Sequence, residues 1–211
     1  ACAPFRRLHL CHHNLESISD YDSNARHKLL AEVCMAAKHE GESISSQHGK
    51  HKGTNPDSQL CTVLARSFAD IGDIIRGKDP FYGNTQESTQ REKLEKNLKN
   101  IFKKIRSEVT SDKNGEALKT RYKGDENYFQ LREDWWTANR ATVWKAITCK
   151  ADASSAYFRP TRNSADGKGP SVAKDHCRCN GDQPGNDKPN IDPPTYFDYV
   201  PQYLRWFEEW A

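Results

Sequence analysis

Three soft ligands fall within four residues at His176-Cys177-Arg178-Cys179, a grouping that can begin a zinc site if a further ligand arrives from elsewhere. No second pair of ligands stands at finger spacing from it, and in an oxidising compartment the thiols become bridges, so disulfides are the better reading. A direct Cys177–Cys179 bond would close a strained small ring, and the two cysteines are expected to staple their loop to two separate places. His9, His12 and His13 lie close enough to bind a metal or carry a proton, yet nothing in the sequence orients them, and exposed polar histidines describe them better. Carboxylate pairs such as Asp70 with Asp73 and Glu208 with Glu209 have the composition of a general acid and base. Without a signal for a pocket or a perturbed pKa, solvated helix faces are the expectation. Gly-x-Ser-x-Gly, a phosphate-binding Gly loop and His-Glu-x-x-His are all missing, so neither an enzyme nor a metal or cofactor is expected.

A stretch of charge is more informative. Residues 91 to 106 carry seven basic side chains against Glu92 and Glu95, a local net charge of +5. At about 100° per residue, Lys96, Lys99, Lys103 and Arg106 fall opposite the apolar stripe of the same segment and form one basic face. Such a face attracts sulfated or sialylated glycans through counterion release; the alternative is the ordinary solvated back of a helix.

The elements that must position these groups follow from the apolar spacing. Leu29, Leu30, Val33, Cys34 and Ala37 predict a helix from Ala25 to His39, capped by Asn24, with Cys34 pointing inward. Residues 40 to 56 are Gly, Ser and charge, and read as a solvated loop. A second helix opens near Asp57, buries Leu60, Cys61, Leu64, Phe68, Ile71, Ile74 and Ile75, and stops at Gly77 and Pro80. The third runs from about Gln86 to Thr110 on Leu94, Leu98, Ile101, Phe102, Ile105 and Val109, followed by a polar loop over 111 to 126. The fourth spans Leu131 to Lys150 and buries some of Trp135, Trp136, Val143, Trp144 and Ile147; one of the adjacent pair Trp135 and Trp136 must face away from the core. A turn-rich stretch over 151 to 195, anchored by Cys177 and Cys179, precedes a last aromatic helix opened by Pro201.

Four amphipathic helices need each other's apolar faces, so a mostly α, disulfide-stapled helix bundle with long loops is the economical architecture. In a chain of 211 residues, 21 aromatics, five of them Trp, exclude a disordered polymer. No apolar run reaches 18 residues, and neither a signal peptide nor a stop after Trp210 is legible, as expected of an excised segment. Seven cysteines, Cys2, Cys11, Cys34, Cys61, Cys149, Cys177 and Cys179, point to an oxidising compartment, and their odd number leaves the pairing open. A net charge of only +3, from 32 basic and 29 acidic residues, does not by itself call for a polyanion, and no nucleic-acid partner is expected.

Several blocks are nonetheless recognisable. Cys2 to Cys11 (CAPFRRLHLC), Leu60 to Phe81 (LCTVLARSFADIGDIIRGKDPF), Trp135 to Cys149 (WWTANRATVWKAITC), Cys177-Arg178-Cys179 and Asp198 to Ala211 (DYVPQYLRWFEEWA) resemble the signature blocks of Duffy-binding-like domains. The resemblance is to the alpha class of the malaria-parasite variant erythrocyte membrane protein 1 adhesins, and it spans nearly the whole chain in order. It implies three disulfide-linked helical subdomains: here 1–55 with the first helix, the bundle over 56–175, and the start of a third over 176–211. It implies display on the infected red-cell surface by a membrane-anchored parent, with no membrane insertion by this segment. The implied activity is cytoadhesion and rosetting through a host receptor, heparan sulfate or blood-group sugars, with host antibodies and adjacent domains as further partners. An antigenically variable spacer with little binding of its own is the alternative. Many relatives carry an extra cysteine where this chain reads Phe158-Arg159-Pro160-Thr161-Arg162, which puts the pairing of Cys149, Cys177 and Cys179 in doubt. No binding residue is carried over from the family; the four basic candidates rest on charge alone.

Overall fold

The computed structural model describes residues 2–10, 15, 23–54, 56–81, 83–111, 115–151, 162–163, 170–171, 176–177 and 193–210. Its helices are α1 (Phe5–Leu8), α2 (Ala25–Thr54), α3 (Leu60–Arg76), α4 (Thr85–Ser111), α5 (Gly115–Arg121), α6 (Phe129–Ile147) and α7 (Gln202–Trp210). A two-residue antiparallel pair, β1 (Arg162–Asn163) with β2 (Pro170–Ser171), and a 3-10 turn (Phe197–Tyr199) complete the described elements. The architecture is the mostly helical one expected, with α3 at its centre, flanked by α2, α6, the 3-10 turn and α7, and with α4 across α2 and α6.

Helix α3 shows why. Its apolar residues Leu64, Phe68, Ile71 and Ile75 are buried as their spacing requires, and each such side chain contributes about 1.5–3 kcal/mol on leaving water. Gly77 ends it in the left-handed region at φ 71°, its N–H bonding Ile74 O while Lys78 N–H reaches Asp73 O. Gly72 meets the indole of Trp136 so closely that an added Cβ would lie 2.7 Å from the ring. Helix α4 starts on a reciprocal cap, with Asn84 Oδ1 accepting from the N–H groups of Gln86 and Glu87 and Glu87 Oε2 accepting from Asn84 N–H.

Two predicted loops are helical. Helix α2 does not stop at His39 but continues through residues 40 to 54. Glu40 is buried and accepts a 2.9 Å hydrogen bond from Ser67, while Gly41 abuts α6 so tightly that a Cβ would sit 1.9 Å from Ile147 O. Tertiary contact therefore carries the helix past the end of its apolar stripe, and its remaining turns are solvated on most sides until Pro56 follows. Within the expected loop 111 to 126, α5 forms with Glu116 in its first turn and Lys119 and Arg121 in its last, each sign placed to suit the helix dipole.

The expectation for the adjacent tryptophans is also corrected. Both are buried, Trp135 edge-on to Phe102 of α4 and Trp136 against Phe68 of α3, because α6 packs against a different helix on each of these two sides, leaving Thr137 and Ala138 to face water. Trp136 donates to Asp198 and Trp144 to Cys177 O, which satisfies both indoles.

Cys61 on α3 bonds Cys177, fastening the distant loop to the core. Among the described residues Cys2, Cys34 and Cys149 are unbonded, while Cys11 and Cys179 lie outside them. Cys34 is half-buried against the core rather than fully inside, and burial pushes its thiol up to about 11. Most of the expected 151 to 195 loop is outside the described residues.

Candidate receptor-binding surface

Helix α4 buries Leu94, Leu98, Ile101, Phe102 and Ile105, which turns the opposite side to water. Lys96 and Lys103 are exposed there and Lys99 is half-buried between them. None of the three has an ion pair among the described residues. With a rise of about 1.5 Å per residue, Lys96 and Lys103 stand about 10 Å apart along the helix, so the three charges follow one line.

Arg106, the fourth candidate, is on the same side but committed to the fold. Its guanidinium donates to Tyr122 O at 2.7 Å and approaches Asp125 O at 3.5 Å, gripping the turn after α5. Spacing on a helix wheel cannot reveal this, because the acceptors belong to a segment that read as loop.

Lys96 and Lys99 also edge a groove of about 770 Å³ between α1, the end of α3 and α4. At its floor Phe81 lies between two cations, with the Arg7 guanidinium 5.0 Å and that of Arg91 5.6 Å from the ring centroid. Both arginines pair with Asp79, Arg91 at 2.9 Å, and Gln202 donates to the same carboxylate. Arg91 contributed to the local charge count, but its use by Asp79 leaves Lys96 and Lys99 as the cations of the groove without an ion pair among the described residues, with Glu92 beside them. Arg7, Asp79 and Phe81 lie within the family-like blocks, but no local pattern links them, and only folding brings them together.

The carboxylate pair Asp70 and Asp73 is not a solvated face: both are buried in α3. Arg205 Nη2 is 2.6 Å from each, Arg6 pairs with Asp70 at 2.8 Å and Arg76 with Asp73 at 2.8 Å. Burial alone would raise Asp70, but Arg6 and Arg205 hold it below the ordinary carboxylate range. For Asp73 burial prevails over Arg205 and Arg76, and its carboxyl is pushed up to about 6. All four oxygens face guanidinium groups, so the pair ties helices together rather than presenting an acid and a base. Glu209, half-exposed on α7, joins the same cluster through Arg6 at 2.9 Å, and Glu208 is likewise half-exposed on α7.

His9 is exposed and lines a second cleft, of about 970 Å³, with His48 and His51; His12 and His13 lie outside the described residues. Burial holds His48 below its usual range, with His51 and Lys52 adding to the effect. The zinc reading of His176-Cys177-Arg178-Cys179 loses its first thiol, since Cys177 is bonded to Cys61. No group of three or more His, Cys, Asp or Glu among the described residues can hold a metal. Helix α7 buries Gln202, Arg205 and Trp206 and exposes Tyr203, Leu204, Phe207 and Trp210. No helix among the described residues is long and apolar enough to cross a membrane.

Comparison with known proteins agrees with this arrangement. The family model of the Duffy binding domain matches residues 1–205. Among solved structures, the NTS-DBL1(alpha-1) domain of the Plasmodium falciparum membrane protein 1 (PfEMP1) of the varO strain is 42% identical with a TM-score of 0.73. That match covers 100% of this chain and 43% of the other. The ICAM-1-binding DBLβ domain of the PfEMP1 IT4var13 is 32% identical over 99% of this chain and 42% of its own, with a TM-score of 0.65. A DBLβ domain of PfEMP1 solved bound to human ICAM-1 is 28% identical over 97% of this chain and 38% of its own, with a TM-score of 0.61. No curated protein matches the chain at a significant level. The chain thus spans less than half the length of these solved relatives, and the family-model match together with the structural likeness over its whole length gives one assignment: it belongs to the Duffy binding domain family.

Proposed function

We propose that this domain is an extracellular adhesion module that binds host-cell receptors or glycans, without catalysis or cofactor, through the solvent face of α4. The observation that carries the reading is the line of Lys96, Lys99 and Lys103, three cations without ion pairs among the described residues, on the side of α4 away from its buried Leu94, Leu98, Ile101, Phe102 and Ile105. A sulfated or otherwise polyanionic glycan such as heparan sulfate suits such a line, since each neutralised charge releases a counterion. Blood-group sugars, cytoadherence and rosetting belong to the same reading, as does display on the infected red cell by a membrane-anchored parent with adjacent domains. Two solved DBLβ relatives engage ICAM-1, which supports a host-surface partner for this chain. We place subdomain boundaries near residues 55 and 175, the first falling between α2 and α3.

The test is retention of the folded, oxidised domain on immobilised heparin across a salt series, beside a variant with Glu at 96, 99 and 103. Salt-sensitive binding lost in the variant is the expected result; equal binding by both proteins would place the site elsewhere. The second reading, an antigenic scaffold that spaces its neighbours and is met chiefly by host antibodies, is favoured by the diversion of Arg106 to structural use. It predicts that neither protein binds heparin.

A further inference from the structure

The basic face of α4 ends at Lys103, because Arg106 is spent on two backbone carbonyls. What Arg106 grips is the segment that follows α5. Tyr122, whose carbonyl takes the 2.7 Å bond, is buried and its hydroxyl donates to Asp134 at 3.0 Å, so this residue is held from both sides. The next residue is Lys123, exposed to solvent, in a turn that Gly124 completes at φ 77°. The neighbouring cations are already neutralised: Lys119 pairs with Glu116 at 3.3 Å and Arg121 with Asp134 at 2.6 Å. Of the turn's acids, Asp125 accepts a hydrogen bond from the N–H of Leu131 at the start of α6, and Glu126 is exposed. Lys123 has no ion pair among the described residues.

We infer that Lys123 is the fourth cation of the anionic-glycan site and that Arg106 is a positioning residue, holding the turn so that Lys123 continues the line of Lys96, Lys99 and Lys103. This rests on the adhesion reading of α4 and extends it to a second element. The site is then bipartite. Its α4 half is rigid because a buried stripe lies beneath it, and its second half is tied to α4 by the Arg106 guanidinium and to α6 by the Tyr122–Asp134 and Asp125–Leu131 hydrogen bonds. The ligand it fits is an extended polyanion that runs along α4 toward the C-terminal end. At the other end Glu92, exposed one turn before Lys96, opposes negative charge. A compact anion would satisfy one half only.

The experiment uses the full folded domain and heparin, with affinity measured over a salt series for the unaltered protein, Lys123→Gln, Arg106→Lys and the double variant, beside melting temperatures for all four. Arg106→Lys keeps the charge but cannot fork onto two carbonyls. If Lys123 is a contact, its variant binds about fivefold more weakly near 0.15 M salt and its log–log salt slope falls by about one, with an unchanged melting temperature. If Arg106 acts through Lys123, Arg106→Lys shows the same reduced slope, and adding Lys123→Gln to it lowers binding little further. A Lys123→Gln slope equal to that of the unaltered protein overturns the inference while leaving the α4 reading intact. Losses in the two single variants that add fully in the double overturn the positioning role. No salt-dependent binding by the unaltered protein overturns both the inference and the reading beneath it.

Discussion

Arg205 Nη2 stands 2.6 Å from Asp70 Oδ1, joining the last helix to the middle of α3 across 135 residues of chain. The same nitrogen reaches Asp73 at 2.6 Å, so a single guanidinium bridges two buried carboxylates. Arg6 and Arg76 complete the set from the other sides, and the N-terminal segment, α3 and α7 meet at one charged centre.

Removing Arg205 takes from Asp70 and Asp73 the guanidinium that bridges them, leaving buried carboxylate oxygens without their charged partner. Arg205→Leu is expected to lower stability by about 3–5 kcal/mol, the cost of stranding a buried partner. Chemical denaturation followed by tryptophan fluorescence measures it. Arg121→Leu, which breaks the solvent-exposed pair with Asp134, is the control and should matter far less. Equal losses in the two would show that the α3 cluster has no special weight.

The raised carboxyl of Asp73 has a sign that can be checked. Its folded pKa of about 6 lies above the ordinary 3.8, so the native state binds its proton more readily than the unfolded chain. Its contribution to stability is fully present below about pH 3.8 and is lost as pH rises through 6. Asp70, held low by Arg6 and Arg205, works oppositely and loses its contribution only as pH falls through its depressed value. Between pH 6 and 4 the stability of the native domain minus that of Asp73→Asn should therefore grow as the solution is acidified. A difference that is flat over this window would mean that Asp73 titrates normally.

Two glycines of α2 should respond in opposite ways. Gly41→Ala forces a methyl into Ile147 O, which is backbone and cannot yield without moving α6, at a cost of about 1–3 kcal/mol. Gly49 has open space around its Cβ position and is helical, so Gly49→Ala should stabilise by about 0.5–1 kcal/mol. Thermal melts of the two variants decide this, and destabilisation by Gly49→Ala would argue that residues 40 to 54 are not helical in solution.

Much of the scaffold was legible because α3, α4 and α6 carry their burial pattern locally. Leu64, Phe68, Ile71 and Ile75, or Leu94, Leu98 and Ile101, recur at helical spacing whatever they pack against. The line of Lys96, Lys99 and Lys103 was legible for the same reason, since on α4 the positions away from the buried stripe are polar or charged and turn toward water. Gly77 likewise announced its stop through the left-handed backbone it alone adopts readily.

Other features depended on partners far away in the chain, and no local pattern encodes them. Helix α2 continues past His39 because Ser67 and Ile147 meet Glu40 and Gly41, and both tryptophans at 135 and 136 are buried because α6 has a neighbour on each side. Asp70 and Asp73 read as solvated acids until Arg6 and Arg205 arrived from the two ends of the chain. Arg106 read as a binding residue until the carbonyl of Tyr122 claimed it. Periodicity by itself determined which faces of the helices are apolar and which are charged. Tertiary structure decided which charges are neutralised and which remain for a ligand, because that depends on distances of about 3 Å between groups separated by many residues of chain.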